Sequence, residues 1–133
     1  MMTNQRICWN ENFKIRLASC DDSLMKHDVI KLMIVKKLMN LHKKDKYFIR
    51  IYTEHQLENN CIADVYYENV RTKEVIVYEI QKEATSKWVK KKEKEYEDWK
   101  VFGFKTADLI IVPLKEAPDN IIELNNWLDK YIF

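Results

Sequence analysis

Residues 61–81 read CIADVYYENVRTKEVIVYEIQ, and this stretch decides the fold. Two runs rich in β-branched and aromatic residues, CIADVYY (61–67) and VIVYEIQ (75–81), flank a short polar segment around 69–73. That pattern predicts an antiparallel β-hairpin. Side chains alternate faces along a strand, so Val75, Val77, Glu79 and Gln81 share one face and Ile76, Tyr78, Ile80 and Lys82 the other. Glu79 and Gln81 then project together near the end of the second strand, and the hairpin brings Asp64 of the first strand beside Glu79. Two carboxylates drawn together by neighbouring strands repel one another unless a cation lies between them. A hard divalent ion such as Mg²⁺ suits that position.

Outward from the hairpin, YFIRIYT (47–53) reads as a further strand, and the polar break EHQLENN follows it. Glu54, the first residue of that break, is a candidate third oxygen ligand or water-positioning group. Upstream, residues 19–44 carry apolar side chains at helical spacing (Leu24, Ile30, Ile34, Leu38, Leu41), with Ser19, Asp21 and Asp22 as N-cap candidates and lysines crowding the last turns. Downstream, ATSKWVKKKEKEYEDWKVF (84–102) predicts a helix capped by Thr85 or Ser86 and ended by Gly103. A strand, TADLIIVPL (106–114), closes at Pro113. An amphipathic helix then starts near Pro118–Asp119, with Ile122, Trp127, Leu128 and Tyr131 to bury. The opening QRICWNENFKIRLA alternates loosely around WNEN, as a short hairpin or edge strand does. The expected fold is α/β: an α-β-β-β-α-β core with an extra C-terminal helix, its mixed central sheet flanked by helices.

Composition narrows the function. The 133 residues suit a single domain, with 47% hydrophobic and 33% charged residues. One glycine leaves no Gly-rich phosphate loop, so P-loop nucleotide hydrolysis and a nucleotide cofactor are excluded. The three serines lie outside any GxSxG setting, which argues against serine hydrolase chemistry. Cys8, Cys20 and Cys61 form neither a disulfide framework nor a zinc motif, and no HExxH is present. With no signal pattern and no apolar run of membrane length, a cytoplasmic protein without a membrane partner is expected. Abundant Lys, Ile, Glu and Asn beside scarce Gly suits an AT-rich genome, such as that of a virus or mobile element.

Asp64, followed fifteen residues later by Glu79-Ile80-Gln81 in a hairpin that leads into a helix, resembles the PD-(D/E)XK nuclease superfamily. The pattern is similar in particular to the archaeal Holliday-junction-resolvase and competence-associated CoiA-like branches. The latter often carry an EIQ tripeptide, a His-x-x-x-Lys in the first helix and a Glu before the Asp strand. The matching residues in this chain are His27, Lys31 and Glu54, and the similar stretch runs from about residue 24 to 114. Ala63 stands where the superfamily's name has a proline.

The resemblance implies a restriction-endonuclease-like fold and a metal-dependent DNA nuclease that hydrolyses phosphodiester bonds. Branched DNA or ends would be its substrates, in recombination or repair, with the chain acting as a homodimer. It implies that Asp64 and Glu79 bind Mg²⁺ or Mn²⁺ together with the backbone carbonyl of Ile80, and that Glu54 assists as an outer or second-metal ligand. Gln81 takes the usual lysine position, where the side chain orients the attacking water and stabilises charge developing on the phosphate. An amide positions water but supplies no positive charge. Lys82 points to the opposite strand face, leaving Lys87 or Lys31 as replacements.

DNA contacts are expected from His27, Lys31, Lys82, Lys87, Lys90 and Lys91. His27 and Lys31 lie one helical turn apart and either face phosphate or form a surface pair. The lysines of the second helix concentrate in its first half, nearest the proposed metal, as phosphodiester binding requires. Its Trp88, Lys92, Tyr96 and Trp99 fall on one stripe, most simply packed against the sheet. The alternatives are a catalytically weak or inactive nuclease-fold module that binds DNA or another protein, and an interaction protein whose acids are structural.

Overall fold

The computed structural model describes residues 13–14 and 25–133. Its elements run β1 (Phe13–Lys14), α1 (Met25–Leu41), β2 (Ile49–Gln56), β3 (Ile62–Asn69), β4 (Glu74–Gln81), α2 (Ser86–Glu95), β5 (Thr106–Pro113) and α3 (Ile121–Leu128). The sheet order is β1-β2-β3-β4-β5, with four eight-residue strands and the two-residue β1 at one edge. β2, β3 and β4 form an antiparallel meander, while β1 joins β2 and β5 joins β4 in parallel. A parallel neighbour cannot be reached through a tight turn, and α2 provides the crossover from β4 to β5. The chain is thus α/β with a mixed sheet flanked by helices, in the element order read from the sequence.

Each face of the sheet has its own apolar layer. On one side Ile30, Ile34 and Leu38 of α1 and Leu124 and Leu128 of α3 pack on Ile49, Ile51, Val65, Tyr67, Ile76, Tyr78, Ile80 and Val112. Each such aliphatic burial contributes about 1.5–3 kcal/mol. On the other side Tyr96 and Trp99, at and beyond the end of α2, pack on Tyr66, Val75, Val77, Ala63, Cys61 and Leu57.

Several boundaries differ from the sequence reading. The N-terminal hairpin around WNEN and the caps Ser19, Asp21 and Asp22 lie outside the described residues. Helix α1 ends at Leu41, so its last turn holds no basic residue, and Lys43 and Lys44 fall in a 3₁₀ turn instead. That turn is anchored by Asp45, which accepts from Asn69 at 2.9 Å and from Arg71 at 2.6 and 2.8 Å, tying it to the β3–β4 turn. Strand β2 starts after Tyr47 and Phe48 and continues through Glu54, His55 and Gln56, so the first three residues of the expected polar break are strand.

Thr85 caps α2 as expected, accepting from the Trp88 amide at 3.2 Å. The helix then stops at Glu95 rather than near residue 102. No residue within α2 is buried, whereas Tyr96 and Trp99 are, and the chain leaves the helical path to deliver Trp99, Val101 and Phe104 to the sheet. Gly103 (φ +87°) serves the turn before β5 and does not end the helix. In α3 the cap is Asn120, and Leu124 takes the core position while Ile122 is 70% exposed.

Candidate active site

The β3–β4 ladder runs in register from Asn69–Glu74 to Val65–Tyr78 and stops there. Asp64 and Glu79 come next, and in place of a ladder bond Asp64 Oδ2 accepts from the Ile80 amide at 2.6 Å. A second irregularity lies on the other side of Asp64. The β2–β3 ladder holds pairs on both sides of Glu54 and Asp64 but not that pair itself, and Glu54 has φ +50°.

At this point the two strands exchange faces. Val65 belongs to the α1 layer, yet Ala63, two residues earlier, belongs to the α2 layer. His55 packs its ring 5.1 Å from Tyr52, three residues away, and 4.7 Å from Tyr66. Residues i and i+3 of a regular strand face opposite ways. The exchange turns Glu54 and Asp64 towards α1, where Lys31 Nζ lies 2.7 Å from Glu54 Oε1 and His27 Nε2 lies 3.3 Å from Asp64 Oδ1. A left-handed backbone at a non-glycine residue costs about 1–3 kcal/mol and persists where surrounding contacts hold it.

Lys31 therefore sits inside the protein with His27 half-buried beside it, and the two do not form a surface pair. Lys31 is fully buried, with Asp28 at 3.3 Å and Glu54 at 2.7 Å around its ammonium, and buried charge requires such partners. The hydrogen bond to Asp64 raises the His27 pKa above 6.5, against the opposing effect of burial. The buried Nδ1 of His27 has no hydrogen-bond partner among the described residues and lies 3.8 Å from Asp28 Oδ1.

Glu79 follows its strand parity and enters the α2 layer with Val75 and Val77, 7% exposed. The Tyr96 hydroxyl donates to its Oε2 at 3.0 Å. Burial, and next the charge of Asp64, push its pKa up to about 7, while Lys92 opposes the rise. The sequence reading sets Asp64 beside Glu79. They remain electrostatic neighbours at the parting of β3 and β4, but Asp64 is bonded towards α1 and Glu79 towards α2. The reason is the face exchange at Glu54, which strand parity does not carry.

The remaining candidates divide by position. Ile80 contributes its amide to Asp64 and its side chain to the core. Gln81 is half-buried at the end of β4, opposite Pro113. Lys82, Lys87, Lys90 and Lys91 are exposed, on the segment after β4 and along α2. Asp28, Tyr96 and Lys92 escaped the sequence reading as site residues. Tyr96 and Lys92 lay on the stripe assigned to core packing, and only the polar ends of these side chains separate a core role from a site role.

Among the described residues no group of three or more His, Cys, Asp or Glu side chains is placed to share a metal ion. Also among them, no helix is long and apolar enough to cross a membrane. Compared with protein-family models, with curated proteins and with solved structures, the chain matches none.

Proposed function

We propose that the chain is a metal-dependent deoxyribonuclease with a restriction-endonuclease-like arrangement, hydrolysing phosphodiester bonds at DNA branches or ends and working in the cytoplasm as a homodimer. The observation that carries this reading is the meeting of Asp64 and Glu79 where β3 and β4 part, with the Ile80 amide bonded between the strands. Both acids offer hard carboxylate oxygens of the kind a divalent ion takes, and the charge of Asp64, second to burial, raises the pKa of Glu79. Asp64, Glu79 and the Ile80 carbonyl would hold Mg²⁺ or Mn²⁺, with Glu54 as an outer ligand. When bound, the ion would polarise the phosphate and lower the pKa of a bound water. Gln81 would orient that water, and the exposed Lys82, Lys87, Lys90 and Lys91 would contact backbone phosphates.

The test is cleavage of branched, flapped and linear DNA with Mg²⁺ or Mn²⁺, comparing the wild type with Asp64→Ala and Glu79→Ala. Cleavage by the wild type that is lost in both variants supports the reading, and activity surviving both substitutions overturns the assignment.

A second reading is a nuclease-fold module that binds DNA or protein without cutting. It is favoured by Gln81 in place of a cation, and by Asp64 and Glu79 each already having protein partners. DNA binding without cleavage in any of these substrates selects it.

A further inference from the structure

Helices α1 and α3 pack on the same side of the sheet, and a groove of about 660 Å³ runs between their outer surfaces. Met33, Lys36 and Lys37 of α1 and Ile121 and Ile122 of α3 line it, with two asparagines and no carboxylate. The sequence reading expects Ile122 in the core, yet Ile121 and Ile122 are 58% and 70% exposed. The apolar surface continues over α1. Met25, Leu32 and Met39 recur every seven residues, two helical turns apart, and all three are exposed. Lys36 lies one turn beyond both Leu32 and Met33, so the stripe and the groove meet around it.

A single exposed apolar residue is ordinary, but a groove continued by a heptad stripe is the surface that a second helix covers. A helix laid along it presents its own anchors every two turns, about 10.5 Å apart, the interval of the Met25, Leu32 and Met39 stripe. Methionine adapts its shape to such anchors. Charge then selects the partner. Lys36 is exposed, and Lys37 is tied to Asp129, whose side chain is 65% exposed, a solvated pair that exchanges at little cost. Lys43 and Lys44 follow just beyond the end of α1. With no acid lining the groove, carboxylates of a partner meet these cations unopposed. The surface is concave and no aromatic side chain lines it, which suits a helix better than a bilayer or stacked bases.

We propose that the α1–α3 groove docks an acidic amphipathic helix of a partner protein. The apolar anchors of that helix seat on Met33, Ile121 and Ile122, and its carboxylates meet Lys36 and Lys37. The surface stands apart from the nuclease reading, because none of these residues belongs to the acid pair or to the proposed DNA contacts.

The test uses the full chain and a fluorescein-labelled peptide of three heptads, with leucine at the a and d positions and glutamate at e and g. The same peptide with lysine for glutamate and vesicles of phosphatidylglycerol are the comparison probes, and light scattering reads the mass of the chain alone across concentration. Ile122→Asp and Lys36→Glu are compared with the exposed Lys94→Glu of α2. An acid in the first turn of α3 suits the helix dipole, and circular dichroism checks that each variant is folded. The acidic peptide is expected to bind saturably and more tightly than the lysine peptide, with the amide shifts it causes in NMR spectra confined to α1 and α3. Ile122→Asp lowers its affinity about tenfold or more. Lys36→Glu lowers it about tenfold at low salt and less at high salt, and Lys94→Glu leaves it unchanged. No saturable binding, equal binding of the two peptides, shifts elsewhere, or folded variants that bind as the wild type does overturn the proposal. Vesicle binding without peptide binding assigns the surface to a bilayer, and a dimer that Ile122→Asp dissociates, again without peptide binding, assigns it to a second copy; either result also overturns the proposal.

Discussion

The Asp64 carboxylate takes the Ile80 amide at 2.6 Å, at the position where the β3–β4 ladder ends. One side chain therefore does two things: it replaces a backbone bond between strands and stands beside Glu79. Substitutions separate the roles. Asp64→Asn keeps an acceptor for the Ile80 amide, whereas Asp64→Ala leaves that buried donor without one, at about 1–3 kcal/mol. Urea melts are expected to show Asp64→Ala clearly destabilised and Asp64→Asn near the wild type, with cleavage lost in both. Equal stability of the two variants would remove the structural role.

Glu79 makes stability depend on pH. Its carboxyl holds a proton up to about pH 7 in the folded chain, against an ordinary value of 4.5. The folded state therefore binds more protons than the unfolded state between these values. Stability falls as pH rises from about 4.5 to about 7 and levels off above, by a total on the order of 3 kcal/mol. In EDTA, Glu79→Gln should flatten this slope and raise the melting temperature at pH 7.5. An unchanged slope in the variant would show that another group titrates there.

Tyr96→Phe removes the hydroxyl that donates to Glu79. That hydrogen bond favours the ionised acid, so its loss moves the Glu79 pKa still higher. Carbon-detected NMR titration of the Glu79 carboxyl reads the shift, with an accompanying stability loss of about 1 kcal/mol. A shift downward would contradict the geometry.

Lys31→Met takes a buried cation away from Asp28 and Glu54 while preserving much of the side-chain volume. Removing one member of a buried ion pair costs about 3–5 kcal/mol. Denaturant unfolding should show a loss of that size, against no more than about 0.5 kcal/mol for the exposed Lys91→Met. A small effect at Lys31 would mean that the pair is solvated in solution.

Much of the fold was legible in the residues. β-Branched runs, polar breaks and helical periodicity each extend over several positions and agree with one another. The turn expected around 69–73 matches the Asn69–Glu74 register, and Val75, Val77 and Glu79 do share the α2 layer. The end of α2 was not legible, because residues 96–102 keep helix-compatible composition while Trp99 leaves the helix to reach the sheet core. Nor was the inward turn of Lys31, since a lysine on a helix ordinarily reads as a solvated charge.

The sequence by itself determined the order of elements, the hairpin, and the neighbourhood of Asp64 and Glu79, all consequences of local periodicity and chain length between runs. Only the tertiary structure decided which layer each acid addresses. That choice turns on the left-handed backbone at Glu54, a conformation its side chain disfavours and that residues far along the chain hold in place: Lys31 at Glu54, His27 and the Ile80 amide at Asp64. Strand alternation is a local rule, and contacts from another layer overrode it at a single residue.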